Sequence, residues 1–222
     1  MKAHRIVSIQ DPRFEELHRL MQEVFPPEEV LEAGLWEAPL QDPGIHVVVA
    51  IHDDEVVGAT EYRYYAALRV AMTDFTIVGR PGLGIGRFLL KYRERAIREL
   101  AKASGSEPIG MFAEVYNPYA TDHGFGGVTP MNPYVRREVL SHIGYKRLDL
   151  TYVHPSWDHQ GLAVEGLDLC FLPSDDGLDQ IPAGLVHHFL QTYYTALPNK
   201  PRAWDDMMAG LQGQEAVGLL PL

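Results

Sequence analysis

The segment Val78-Gly79-Arg80-Pro81-Gly82-Leu83-Gly84-Ile85-Gly86-Arg87 limits what this chain can fold into more than any other. It joins a β-rich run, Leu68 to Val78, to a stretch in which Ile85, Phe88, Leu89, Tyr92, Ala96, Ile97 and Leu100 recur at three and four residues. The hydrophobic period therefore changes abruptly, and the chain passes from a strand straight into an amphipathic helix, Gly84 to Ala103. Glycines clear side chains from such a turn so that a ligand can approach the backbone. The first helical turn beyond it presents unpaired N–H groups at the positive end of the helix dipole. A strand, a glycine turn and a helix in this order make an anion site.

Two common phosphate motifs can be tested against these letters. A P-loop closes on Gly-Lys-Ser/Thr, whereas Gly86 is followed by Arg87-Phe88. A dinucleotide fingerprint needs its third glycine three residues after the second and an acidic residue about 20 residues further on. Position 87 is arginine, and no acidic strand end occurs where that motif requires one.

The surrounding pattern is that of an α/β domain. A strand is expected at Arg5 to Ile9, then a helix opened by Asp11-Pro12 and stopped by Pro26-Pro27, then a short helix from Glu28 to Trp36. His46 to Ile51, Glu55 to Tyr65 and Leu68 to Val78 form an antiparallel meander, its first turn at His52-Asp53-Asp54. After the glycine helix come a strand at Ile109 to Val115, a helix at Pro133 to His142 and a strand at Lys146 to Val153, an alternation that implies some parallel pairing. Residues 1–157 read as the core domain and 158–222 as a C-terminal strand-helix extension packed on it. The extension has a strand bulged at Glu165-Gly166, a helix at Leu178 to Ala196, a further helical stretch around Trp204 to Leu211, and a glycine-containing tail.

Composition removes several function classes. A formal net charge of -11 opposes phosphate neutralisation, so nucleic acid is not an expected partner. No run of about 18 apolar residues is present to span a membrane, and the first ten residues lack a signal-peptide core. The single cysteine, Cys170, forms no intramolecular disulfide and reads as buried core, which fits a soluble cytoplasmic protein. His187-His188 and the group His154, Asp158 and His159 give no closed ligand set, so no metal is expected.

From about Arg5 to Val153 the chain resembles the GCN5-related N-acetyltransferase (GNAT) superfamily. Gly84-Ile85-Gly86-Arg87-Phe88-Leu89-Leu90 is similar to the second half of that family's Arg/Gln-x-x-Gly-x-Gly/Ala motif. Glu114-Val115, Asn132 and Ser141-His142-Ile143-Gly144-Tyr145 match its later signatures. Pro81 stands where the family carries Arg or Gln, with Arg80 one residue early, and Leu140 stands where many relatives carry a tyrosine that protonates the departing thiolate. The resemblance implies a mixed, mostly antiparallel central sheet with flanking helices, and acetyl-CoA as acyl donor. Gly82, Leu83, Gly84, Ile85, Gly86 and Arg87 would hold its diphosphate, with Asn132 a further donor-site residue. Thr76, Ile77 and Val78 would offer backbone groups to the pantetheine arm.

The acceptor implied is a small primary amine that attacks the thioester directly. The protein must then accept a proton from the ammonium and assist departure of the thiolate. Glu61, Asp74 and Glu114, carboxylates inside β-rich runs, are the candidate bases, Glu114 foremost, because such groups are costly there unless hydrated or paired. Tyr134 and Tyr145 flank the later helix and are candidate acids. The long stretch from Tyr116 to Met131, with Tyr116, Tyr119, Asp122, His123 and Phe125 among glycines, is assigned to acceptor recognition. A homodimer is compatible with the extension. The departures at Pro81 and Leu140 keep open a second reading, a CoA- or ligand-binding module that has lost turnover.

Overall fold

A computed structural model describes residues 1–25, 30–120, 132–156 and 161–222 of the chain. These residues form two compact units, one spanning 1–108 and the other 109–120 with 132–222.

The first unit opens with strand β1 (Lys2–Ile6) and helix α1 (Phe14–Val24). The strand lies earlier than the hydrophobic pattern suggests. Asp11 is not the N-cap: it lies three residues before Phe14, its carboxylate accepting the Arg13 N–H at 2.9 Å. Phe14, Leu17, Leu20 and Met21 form the buried stripe of α1. The helix expected from Glu28 begins outside the described residues. Its later part is a 3-10 turn, Ala33–Trp36, that runs into helix α2 (Glu37–Gln41). Strands β2 (Ile45–His52), β3 (Glu55–Tyr65) and β4 (Val70–Val78) form the expected meander, and β1 adds to its edge in the antiparallel order β1-β2-β3-β4. Asp53 and Asp54, with φ of 49° and 65°, close the β2–β3 hairpin as a two-residue turn with both central residues left-handed.

Helices cover this sheet on both faces. On one, Phe14, Leu17, Leu20 and Met21 of α1 pack with Trp36, Leu40, Val47, Val49, Ala59, Phe75 and Ile77. On the other, Ile85 and Leu89 of helix α3 (Ile85–Ala103) pack on Ala50 and Val57. A side chain on β3 or β4 therefore faces either the α1/α2 layer or the α3 layer.

The second unit contains strand β5 (Gly110–Tyr116), helix α4 (Pro133–Ile143), strands β6 (Lys146–Leu148), β7 (His154–Pro155), β8 (Ala163–Val164), β9 (Leu167–Pro173) and β10 (Gln180–Pro182), helices α5 (Ala183–Tyr193) and α6 (Arg202–Gln212), and strand β11 (Ala216–Pro221). Its main sheet has the order β5-β9-β6-β11-β10, with every one of these pairings antiparallel. Three expectations change here. The strand predicted at Lys146 to Val153 is observed only over Lys146–Leu148, which pairs with β9 and β11, and the short strand β7 begins at His154. The single bulged strand is two strands in two sheets: β8 pairs only with β7, Gly166 breaks the chain at φ 78°, and β9 pairs with β5 and β6. The tail is strand β11, whose alternating Val217 and Leu219 are buried. Residues 161–222 thus supply strands β9, β10 and β11 to the second unit's sheet. Phe189 of α5 stacks on Phe112 at 4.1 Å, so this part of the chain also builds the core around β5.

Candidate functional site

The glycine turn lies where the sequence puts it. Gly82 and Gly84 have φ of 84° and 70°, and Gly84 is the N-cap of α3. An L-residue in this left-handed region costs about 1–2 kcal/mol. A Cβ added at either glycine would meet nothing within 4 Å, and one at Gly86 would reach only Val78 Cγ2 at 3.5 Å. The glycines therefore serve the backbone path and leave its outer face open. The first intrahelical bond runs from Phe88 N–H to Gly84 C=O at 3.0 Å, which leaves the N–H groups of Ile85, Gly86 and Arg87 without an intrahelical partner. No side chain caps them and no acidic residue occupies the first turn. Leu83 packs against the patch formed by Ala50, Val57, Ile85 and Leu89, which anchors the turn. Arg87 is exposed. Arg80 pairs with Glu55 at 2.5 Å, outside the turn. Ile77 is buried in the α1 layer, and Val78 packs on the α3 side.

Glu61 and Asp74 come together on β3 and β4. Glu61 pairs in register with Phe75 and Tyr62 with Thr73, so Asp74 is the extra residue of a β-bulge. Bulges re-aim side chains, and this one brings the Asp74 carboxyl into hydrogen-bond contact with that of Glu61. Enclosure by protein pushes the Glu61 carboxyl well above the usual range. The charge of Asp74 and the bond between the two groups add to this, and Arg63 opposes it. Glu61 follows Ala59 at strand spacing, so the pair belongs to the α1/α2 face, and Asp74 is exposed at its outer end. Arg63 is engaged by Asp42, whose carboxyl the Gly44 N–H and Arg63 hold below its ordinary value against burial. Tyr65 completes the group; burial first, and then the charge of Asp74, raise its phenol.

Glu114 has the opposite surroundings, inside the second unit. Its Oε1 accepts hydrogen bonds from the hydroxyls of Tyr152 and Tyr194 and from His154 Nδ1 at 2.9 Å. Burial pushes its carboxyl up, but the charge and hydrogen bond of His154 and the two tyrosine bonds outweigh that, so the net shift is downward. Both tyrosine hydroxyls are pushed well above their usual range, by burial first and then by the Glu114 charge. This network is held by β5, β7, the segment before it and the 3-10 turn after α5. The sequence flagged Glu114 and His154 separately and carried no signal for Tyr152 or Tyr194, because they meet only through the tertiary fold.

The other expected residues are spread over several elements. Asn132 caps α4, its side-chain oxygen accepting the N–H groups of Tyr134 and Val135 at 3.0 and 3.3 Å. The Tyr134 hydroxyl donates to Pro118 C=O at 3.1 Å, and its ring meets the exposed Tyr119 edge-on at 5.2 Å. Tyr116 is half-buried at the end of β5. His123 lies outside the described residues. Among the described residues no group of three His, Cys, Asp or Glu side chains is placed to hold a metal, and no helix is long and apolar enough to cross a membrane.

No protein-family model matches the sequence, and no curated protein matches it significantly. Solved structures do match. A GNAT-family protein from Bacteroides thetaiotaomicron aligns over 87% of this chain and 96% of its own, with TM-score 0.56 and 15% identity. An aminoglycoside 6'-N-acetyltransferase complexed with coenzyme A aligns over 77% of this chain and 95% of its own, with TM-score 0.52 and 19% identity. The Paia N-acetyltransferase from Thermoplasma acidophilum, in complex with coenzyme A, aligns over 78% of this chain and 99% of its own, with TM-score 0.51 and 13% identity. The chain has the fold of the GNAT acetyltransferases.

Proposed function

We propose that this protein is an N-acetyltransferase that moves the acetyl group of acetyl-CoA to the primary amine of a small molecule by direct attack. One observation carries the reading: the open turn at Gly82, Gly84 and Gly86, leading into a helix whose first N–H groups have no cap, in a fold shared with enzymes solved with coenzyme A. The backbone from Gly82 to Arg87 receives the diphosphate, and β4 from Val78 back through Ile77 and Thr76 carries the pantetheine arm. Arg80, held by Glu55, takes no part, and backbone donors supply the phosphate contacts.

The base is Glu61, working with Asp74. A general base serves best when its pKa lies near the operating pH, and enclosure and the neighbouring carboxyl move Glu61 in that direction. Glu114, bonded to three donors and shifted downward, is poorly suited to accept a proton and serves the second unit's core. The amine enters as an ammonium, favoured by the paired carboxyls and by the chain's net charge of -11. One ammonium proton passes to the pair. The nitrogen then forms its bond to the carbonyl carbon, the C–S bond breaks with its electrons on sulfur, and the second nitrogen proton ends on the thiol. Ammonium and acetyl-CoA thus yield amide, CoA and one proton. Tyr116 and Tyr119 remain candidates for acceptor contact.

Calorimetry with acetyl-CoA, together with thiol release across a panel of primary amines that includes amino sugars, tests this reading. Amine-dependent release supports it. Binding of acetyl-CoA with no release from any amine assigns the protein instead to the non-catalytic CoA-binding class, which the leucine at position 140 allows.

A further inference from the structure

Arg93 is the one basic residue on the buried line of α3. Ile85, Leu89, Arg93, Ile97 and Ala101 recur every fourth residue, and Arg93 is only 3% exposed. Among the described residues no carboxylate pairs with it, and its Nε has no hydrogen-bond partner. A buried guanidinium without a counter-charge is costly, and a leucine would fit the line better. Its contacts suggest what it does. One guanidinium nitrogen donates to Thr60 Oγ1 at 2.7 Å and to Thr76 Oγ1 at 2.8 Å. The Thr60 hydroxyl in turn donates to Phe75 C=O at 2.9 Å, so its hydrogen is committed. The two hydroxyls are 3.3 Å apart, a long contact in which Thr76 must be the donor. Thr76 thus accepts a charge-assisted hydrogen bond while its own hydrogen remains weakly engaged, and it is half-buried whereas Thr60 is fully enclosed. A hydroxyl polarised this way is a good donor to a developing anion.

We propose that Thr76, polarised by Arg93, donates a hydrogen bond to the CoA sulfur and stabilises the departing thiolate, with Arg93 as the positioning residue. This rests on the acetyl-CoA reading above. β4 rises about 3.3 Å per residue, so it leads back from the glycine turn past Val78 to Thr76 and on to Asp74 in the direction an extended pantetheine arm takes. The sulfur takes both electrons of the broken C–S bond. Thr76 keeps its proton and supplies a hydrogen bond only, and the second ammonium proton neutralises the thiolate afterwards. The other titratable groups nearby are His46 of β2, pushed down to about 4 by burial and by Arg5 and Arg63, Tyr62 of β3, and Tyr92 and Glu99 of α3. His46 is therefore neutral at pH 7 and leaves the cation role to Arg93.

The test is the thiol titration of CoA bound to the protein, read from the ultraviolet thiolate absorbance as the difference between complex and free protein. Cys170 does not interfere, since burial first and Asp168 second push its thiol up to about 12. The bound thiol should titrate at least about one unit lower than free CoA, a tenfold larger thiolate fraction. Thr76→Val and Arg93→Met should return it to the free value, and Thr76→Ser should keep the shift. A bound thiol that titrates like free CoA, or a shift unchanged in Thr76→Val, overturns the proposal. If Arg93→Met fails to fold by circular dichroism, Thr76→Val alone decides, because it removes only the hydroxyl. Failure of CoA to bind the wild type by calorimetry overturns the acetyl-CoA reading itself, and this inference with it.

Discussion

Glu61 and Glu114 are both strand glutamates enclosed by protein, and their neighbours give them opposite properties. Glu61 faces another carboxyl across a bulge and is pushed upward. Glu114 faces His154 and two tyrosine hydroxyls and is pulled downward despite its burial. Burial alone would have raised both. The difference lies in the neighbours: at Glu61 the Asp74 charge adds to the effect of burial, whereas at Glu114 three hydrogen-bond donors outweigh it.

The sharpest way to break this comparison is to neutralise each glutamate in turn. Glu61→Gln should lower kcat by about 10²–10⁴-fold while calorimetry shows acetyl-CoA binding unchanged. Glu114→Gln should leave kcat within a few-fold but destabilise the protein by roughly 3 kcal/mol, seen in denaturant melts, because it leaves His154 and two tyrosines facing a lost charge. Stability against pH should separate them by sign. Glu61 keeps its proton above the ordinary 4.5, so its contribution is complete below 4.5 and is lost as pH rises through its higher folded value. Glu114 contributes fully above 4.5 and loses that contribution as pH falls through its lower folded value. Melts of each variant against wild type across a pH range of roughly 3 to 9 should therefore diverge in opposite directions.

A finer probe is Asp74→Asn. Removing that charge relieves Glu61, so the acidic limb of the kcat/KM profile should move to lower pH by about one unit. A limb that stays in place would mean that the Asp74 charge does not act on Glu61. The smallest effect is expected at the turn, where Gly84→Ala should cost about 1 kcal/mol of stability through backbone strain alone, since the space around it is open.

Much of the first unit is legible in the sequence because its signals are local. The meander, the hairpin at Asp53-Asp54 and the switch of period at Gly84 all arise from residues close together in the chain, and each lies within a few residues of its expected place. The second unit is harder. Its strands β9, β10 and β11 are short and pair with partners far along the chain, so the stretch from Leu162 to Phe171 reads as one bulged strand and β11 as a tail. The carboxylates are identifiable as unusual inside strands, but their ranking is not. The choice between Glu114 and Glu61 depends on neighbours at positions 152, 154 and 194, which no spacing connects to 114. Arg93 leaves a visible trace: it sits four residues from both Leu89 and Ile97, on the apolar line, yet a charged residue in a helix reads first as solvent-facing.

The most direct test of the central claim is single-turnover thiol release from acetyl-CoA with an amine identified from the panel, comparing wild type, Glu61→Gln and Glu114→Gln at equal folded concentration. The wild type and Glu114→Gln should release thiol rapidly and Glu61→Gln almost none. Full release by Glu61→Gln, or loss of release in a folded Glu114→Gln, would contradict that claim.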